Sequence, residues 1–206
     1  MTSGADLVIG FDLDMTLIDS RPGVAATYRA LNERLGTNLP AEDLAERLGP
    51  TLEMELAAFF PAAEIDVVAD TYRAIYAELG PPGSSLLPGA LEAVAAVGAL
   101  GGRSLVVTAK FEPNAHRCLR AVGLEIDHVV GWRHGAAKGE TLIEHGALAY
   151  VGDTPPDIVA ARVAGALAVA VPSGPWSAEE LRAEGADVVL DSLLDFPAWL
   201  ASALDR

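Results

Sequence analysis

Asp12 and Asp14 stand at alternate positions in Val8-Ile-Gly-Phe-Asp-Leu-Asp-Met-Thr16, directly after an apolar run of strand character. In an extended chain alternate side chains share a side, so the two carboxylates sit in each other's field. Like charges at that spacing are tolerated where a cation bridges them or where one holds a proton for the other. Either arrangement serves phosphoryl transfer. Three further segments bring reactive groups to the ends of elements. Val106-Val-Thr-Ala-Lys110 ends an apolar run in a hydroxyl and an amine, Ala137-Lys-Gly-Glu140 opens a helical pattern with a lysine, and Tyr150-Val-Gly-Asp-Thr-Pro-Pro-Asp157 ends a run in Asp153 and starts a helix at Asp157. Gly152, beside Asp153, lets a backbone or ligand come close.

The elements that must position these groups are short β-rich runs at 7–11, 105–107, 129–130, 149–151, 167–171 and 188–190. From the second run onward they alternate with helical patterns. A parallel return needs a crossover, so this alternation predicts an α/β fold, a Rossmann-like parallel sheet with helices on both faces. Ligands of such sheets bind at the carboxyl ends of the strands, where Asp12, Thr108 and Asp153 stand. More than ninety residues separate the first two runs, far beyond one crossover helix. Within them, 22–35, 41–48, 52–60 and 65–79 carry apolar residues at helical spacing, with Gly36, Gly49, Pro61 and Gly80 as stops. The expectation is a core of residues 1–19 and 86–206 and a small helical insert of residues 20–85, hinged near Ser20 and at Gly80-Pro-Pro-Gly-Ser-Ser85.

Composition narrows the partners. Of 206 residues, 51% are hydrophobic and 21% charged, a globular balance. The net charge of −15 repels phosphate backbones and anionic headgroups, which argues against nucleic acid and membrane partners. An anionic substrate therefore needs local positive charge from lysines, helix N-termini or a bound cation. Cys118 is the only cysteine, which excludes an intrachain disulfide and fits a reducing cytosol. It lies in a helical pattern, where it reads as a small buried hydrophobe. The N-terminus lacks the basic start and apolar stretch of a signal peptide, so a cytoplasmic location is expected. The four histidines show no ligand spacing, the tryptophans form no constellation, and Trp176 and Trp199 read as packing residues.

The ordered set Asp-x-Asp, Thr, Lys, Asp, running from Val8 to about Val171, resembles the haloacid dehalogenase superfamily of phosphohydrolases. The resemblance implies that Asp12 is the nucleophile and Asp14 the general acid and base. It implies that Thr108 and the Ala109 amide hold the transferring phosphoryl oxygens, with Lys138 neutralising charge there. Asp12, Asp14, Asp153 and Asp157 would hold Mg²⁺. The insert resembles the family's cap, a lid over the site. Thr-Leu-Ile-Asp-Ser20, Gly49-Pro-Thr-Leu52, Tyr72-Arg-Ala-Ile-Tyr76 and Thr108-Ala-Lys110 are similar to the phosphoglycolate phosphatase branch, which makes Arg47, Thr51, Arg73 and Lys110 candidates for substrate binding. One departure is Met15, where the family commonly has glycine.

The expected activity is thus Mg²⁺-dependent hydrolysis of a small anionic phosphorylated metabolite, phosphoglycolate-like, through an aspartyl-phosphate. A phosphosugar mutase, a nucleotidase and a pyrophosphatase share the motifs. A phospho-aspartate receiver domain is disfavoured by the length and the insert. Asp14 argues against dehalogenase chemistry, which has no need of a second acid. Monomer and homodimer both remain open.

Overall fold

The structure, a computed structural model, describes residues 7–204. Its strands are β1 (Val8–Phe11), β2 (Ile18–Asp19), β3 (Ser85–Leu86), β4 (Arg103–Val107), β5 (His128–Val130), β6 (Ala149–Gly152), β7 (Leu167–Ala170) and β8 (Val188–Val189). Six of them form one sheet in the order β5-β4-β1-β6-β7-β8, with every pair parallel. The chain builds outward from β1 in both directions. The strand order therefore reverses at β1, and a crevice opens at the carboxyl ends of β1, β4 and β6.

Alternation along each strand sorts the side chains into two cores. Ile9, Phe11, Val106, Ala149, Val151 and Val169 belong to one. Val8, Leu105, Val107, Tyr150, Ala168 and Ala170 belong to the other. A strand buried on both faces has no polar side, which is why these runs read as continuously apolar.

Between β2 and β3 lie α1 (Arg21–Leu35), α2 (Ala41–Glu46), α3 (Leu52–Leu56) and α4 (Ile65–Leu79). After β3 come α5 (Ala90–Ala99), α6 (Glu112–Val122), α7 (Ala136–His145), α8 (Pro155–Ala164), α9 (Ala178–Ala183) and α10 (Phe196–Leu204). Helices α5, α6 and α10 cover the first core through residues such as Val97, Cys118 and Phe196. Helices α7, α8 and α9 cover the second through Leu142, Ile158 and Leu181. Cys118 is fully buried, and Trp199 packs on Phe196 with ring centroids 5.3 Å apart, while Trp176 stays 36% exposed.

Two helices of the insert end earlier than the periodicity predicts. Helix α2 stops at Glu46, because Arg47 leaves helical geometry and Gly49 follows at φ 148°. Helix α3 stops at Leu56, where the chain tightens into turns with Ala58 N–H on the Glu55 carbonyl and Phe59 N–H on the Leu56 carbonyl. The sequence also hides the ribbon in which β2 and β3 pair antiparallel, Ile18 opposite Leu86 and Asp19 opposite Ser85. Two-residue strands carry no periodicity, and only their long-range pairing defines them. The ribbon spans both of the expected junctions between core and insert.

Candidate active site

Asp12 is the first residue beyond β1. Its N–H still donates to the Val151 carbonyl at 2.8 Å, so the sheet ladder itself fixes the carboxylate. Lys138 Nζ donates to Asp12 Oδ1 at 2.7 Å and to Asp157 Oδ1 at 2.7 Å. Lys138 stands in the first turn of α7 and is only 4% exposed, so this lysine is a buried cation between two buried acids. Burial pushes the Asp12 carboxyl up to about 7 against the pull of Lys138, with Asp157 and Asp14 adding to the rise.

Asp153 follows β6. Thr16 Oγ1 donates to its Oδ1 at 3.0 Å, and its Oδ2 is the buried side-chain oxygen that has no partner among the described residues. Burial first, then the charges of Asp157 and Asp12, drive this carboxyl well above the usual range. The site is shaped to keep that oxygen open. A Cβ on Gly174 would collide with Asp153 Oδ2, and one on Gly152 would collide with the Asp157 carboxylate. Asp12, Asp153 and Asp157 each offer an oxygen within 4.8 Å of the others. A hard divalent cation fits this set, since it takes oxygen ligands and removes both the unpartnered atom and the repulsion.

Asp157 is already well engaged. Its Oδ2 accepts from the Thr154 hydroxyl at 2.6 Å and the Thr154 N–H at 3.1 Å, closing a capping box on α8, while Oδ1 holds Lys138. Asp14 has separate partners from Asp12. Ser20 Oγ donates to its Oδ1 at 2.5 Å, and Lys110 Nζ lies 3.1 Å from the same oxygen. Lys110 also donates to the Tyr76 hydroxyl at 2.9 Å. Burial works against the Lys110 ammonium, yet Asp14 and Tyr76 hold it above the ordinary lysine range.

Thr108 follows β4 and is buried, its N–H on the Val130 carbonyl and its hydroxyl accepting from the Lys110 N–H at 3.2 Å. Thr108, Ala109 and Lys110 line the same cleft as Asp12, Asp14, Lys138 and Asp153. Arg47 lines it from the insert, paired with Glu55 at 2.9 Å. Arg73 lines it too, paired with Glu53 and with Asp70. Thr51 caps α3, its hydroxyl accepting from the Met54 N–H at 3.3 Å, and it is not among the cleft-lining residues.

Met15 explains its own oddity. The loop after Asp14 turns back with the Leu17 and Ile18 N–H groups both on the Leu13 carbonyl, and Met15 adopts φ 60°. That left-handed geometry is where glycine costs nothing and a side chain costs about 1–2 kcal/mol. The methionine side chain is 2% exposed, and its burial offsets the strain.

Several cleft residues escape sequence reading. Tyr28, Tyr72 and Tyr76 form a ladder with centroids 4.8 and 5.9 Å apart; the Tyr72–Tyr76 segment carries the family resemblance without marking its tyrosines as cleft residues, although they form an i,i+4 aromatic pair on α4. Trp132 and His134, which form no sequence pattern, line the cleft from the segment after β5. Arg73 stacks over Phe111 and Trp132, 5.8 and 5.2 Å from the ring centroids. His134 is held below the ordinary imidazole range by burial and then by the Lys138 charge.

The strand ends thus deliver a carboxylate, a hydroxyl and an acid pair to one crevice, with a buried lysine between the acids. Residues 9–171 match the model of the haloacid dehalogenase-like hydrolases, and the chain belongs to that family. It is 31% identical to a phosphoglycolate phosphatase from Rhodospirillum rubrum over 92% of this chain and 89% of that protein. It is 35% identical to the tyrosine-protein kinase PtkA of Mycobacterium tuberculosis over 56% of this chain, so it spans 40% of the kinase's length. A haloacid dehalogenase-like family hydrolase from Streptococcus pneumoniae shares the fold at a TM-score of 0.81 and 21% identity, covering 97% of this chain and all of that one.

Proposed function

We propose that this chain is a Mg²⁺-dependent phosphatase that hydrolyses a small phosphomonoester through an aspartyl-phosphate on Asp12. The observation that carries the reading is the buried Asp12–Lys138 pair beside the unpartnered Oδ2 of Asp153. Lys138 holds Asp12 Oδ1, so Oδ2 attacks phosphorus as the ester oxygen departs. Asp14 gives the departing oxygen its proton and then takes one from the water that attacks the aspartyl-phosphate, returning the Asp12 carboxylate and releasing phosphate. Thr108 and the Ala109 N–H hold the phosphoryl oxygens. Asp12, the Asp14 carbonyl and Asp153 would hold Mg²⁺, which when bound neutralises the acid cluster and polarises the phosphoryl group. Asp157 acts by orienting Lys138.

The segment 20–85 serves as the lid, with β2 and β3 as its hinge. Phosphoglycolate is the ester in the name of a full-length relative and belongs in the first assay. Phosphate release should need Mg²⁺ and should vanish in Asp12→Asn with the fold intact. Turnover by that variant, or turnover indifferent to chelator, would sink the mechanism. The similarity to a tyrosine-protein kinase favours one second reading, in which the phosphoryl group passes to a hydroxyl acceptor instead of water. Phosphate release without any acceptor separates the two.

A further inference from the structure

Each lysine and arginine that lines the cleft already holds an acid. Lys138 is bound to Asp12 and Asp157, and Lys110 to Asp14. On the insert side Arg47 is bound to Glu55, and Arg73 to Glu53 and Asp70. Glu53 and Glu55 line the cleft themselves, so the wall facing the phosphoryl site carries no net charge from these four groups. A second anion on the substrate would have to draw Arg47 or Arg73 away, and the abandoned glutamate would then lie beside it as a like charge.

The rest of that wall is apolar and aromatic, with Val24, Leu44, Leu48, Tyr28 and Tyr72. The Tyr28 and Tyr72 rings pack at 4.8 Å, yet neither hydroxyl is hydrogen-bonded to any described residue. A neutral phenol both donates and accepts, and it offers an apolar face to carbon. Such a wall suits a leaving group that is uncharged and carries hydroxyls.

Resting on the phosphatase reading, we infer that this cleft selects phosphomonoesters of uncharged, hydroxyl-bearing alcohols, and that Glu53 and Glu55 exclude substrates with a second anionic group by occupying the arginines that would bind it. The inference departs from phosphoglycolate, whose leaving group is a carboxylate-bearing alcohol.

Glycerol 3-phosphate and 3-phosphoglycerate form a matched pair, differing by a hydroxymethyl group against a carboxylate. With saturating Mg²⁺, kcat/KM measured by phosphate release should favour glycerol 3-phosphate by about tenfold or more. In Glu53→Gln and Glu55→Gln, each confirmed folded by thermal unfolding, that preference should shrink, through a lower KM for 3-phosphoglycerate. Equal or reversed preference in the parent protein, or a preference unmoved in both variants, overturns the inference and leaves the phosphatase reading standing. Release from p-nitrophenyl phosphate but from neither probe does the same. No release from any of the three esters overturns the phosphatase reading and this inference with it.

Discussion

The two walls of the cleft are held together in different ways. On the sheet side, the bonds that fix the acid cluster join residues far apart in the chain, with Lys138 reaching Asp12 across 126 positions and Thr16 reaching Asp153 across 137. On the insert side the cleft ion pairs span far shorter stretches, with Arg47 and Glu55 separated by 8 positions, Arg73 and Asp70 by 3, and Arg73 and Glu53 by 20. The sheet wall is also buried, whereas Arg47 is 56% exposed at its side chain. The geometry of the acid cluster thus depends on the complete sheet, while the charge of the opposing wall can be changed by single substitutions within the insert. In the proposed mechanism, this arrangement lets substrate preference change without disturbing Asp12.

The largest expected effect breaks the sheet wall. Asp12→Asn should lower turnover by about 10⁴-fold or more, read as phosphate release, while circular dichroism stays that of the parent. Lys138→Met comes next. It leaves Asp12 and Asp157 buried without their cation, so stability should drop by about 3–5 kcal/mol in urea unfolding, with Mg²⁺ restoring part of the loss.

The third prediction uses the titration of the same wall. In the metal-free protein Asp12 is raised from 3.8 to about 7, so between those values the folded state holds a proton that the unfolded state has lost. Its contribution to stability is therefore full below pH 3.8 and is lost as pH rises through about 7. A metal held by the carboxylate competes with that proton. The thermal stabilisation produced by Mg²⁺ should accordingly be larger at pH 8 than at pH 5.5, and an equal gain at both would show that the metal does not engage Asp12.

Smaller effects come from the loop and the mouth. Met15→Gly relieves the left-handed strain, about 1–2 kcal/mol, but forfeits a buried side chain worth about 2–3 kcal/mol and adds unfolded-state entropy. The net should be a loss of about 1 kcal/mol by denaturant unfolding, and a gain would mean that the family's glycine is the better residue here. Trp132→Ala removes the ring over which Arg73 stacks at 5.2 Å, an interaction of about 0.5–1 kcal/mol. It should raise KM by a few-fold with kcat little changed.

The sequence made the sheet legible because its central strands β1, β4, β6 and β7 are largely buried on both faces and so read as unbroken apolar runs, alternating with helical patterns from β4 onward. It likewise showed the four helices of the insert, with α1 and α4 nearly in full, because Gly36 and Gly80 mark their ends. It did not show the β2–β3 ribbon, the left-handed turn at Met15 or the early ends of α2 and α3. Those depend on pairings and turn hydrogen bonds that composition does not record.

For the site, sequence alone determined which groups stand at strand ends, since an apolar run followed by Asp12, Thr108 or Asp153 is a local pattern. Only the tertiary structure decided how they are shared. It set Lys138 between Asp12 and Asp157, gave Asp14 to Lys110 and Ser20, left one oxygen of Asp153 open, and tied Arg47 and Arg73 to Glu55 and Glu53. The physical reason is that charge and hydrogen-bonding capacity are saturable. A residue's type states what it can bind, and the partner that takes it is settled by which other side chains the fold brings within about 3 Å.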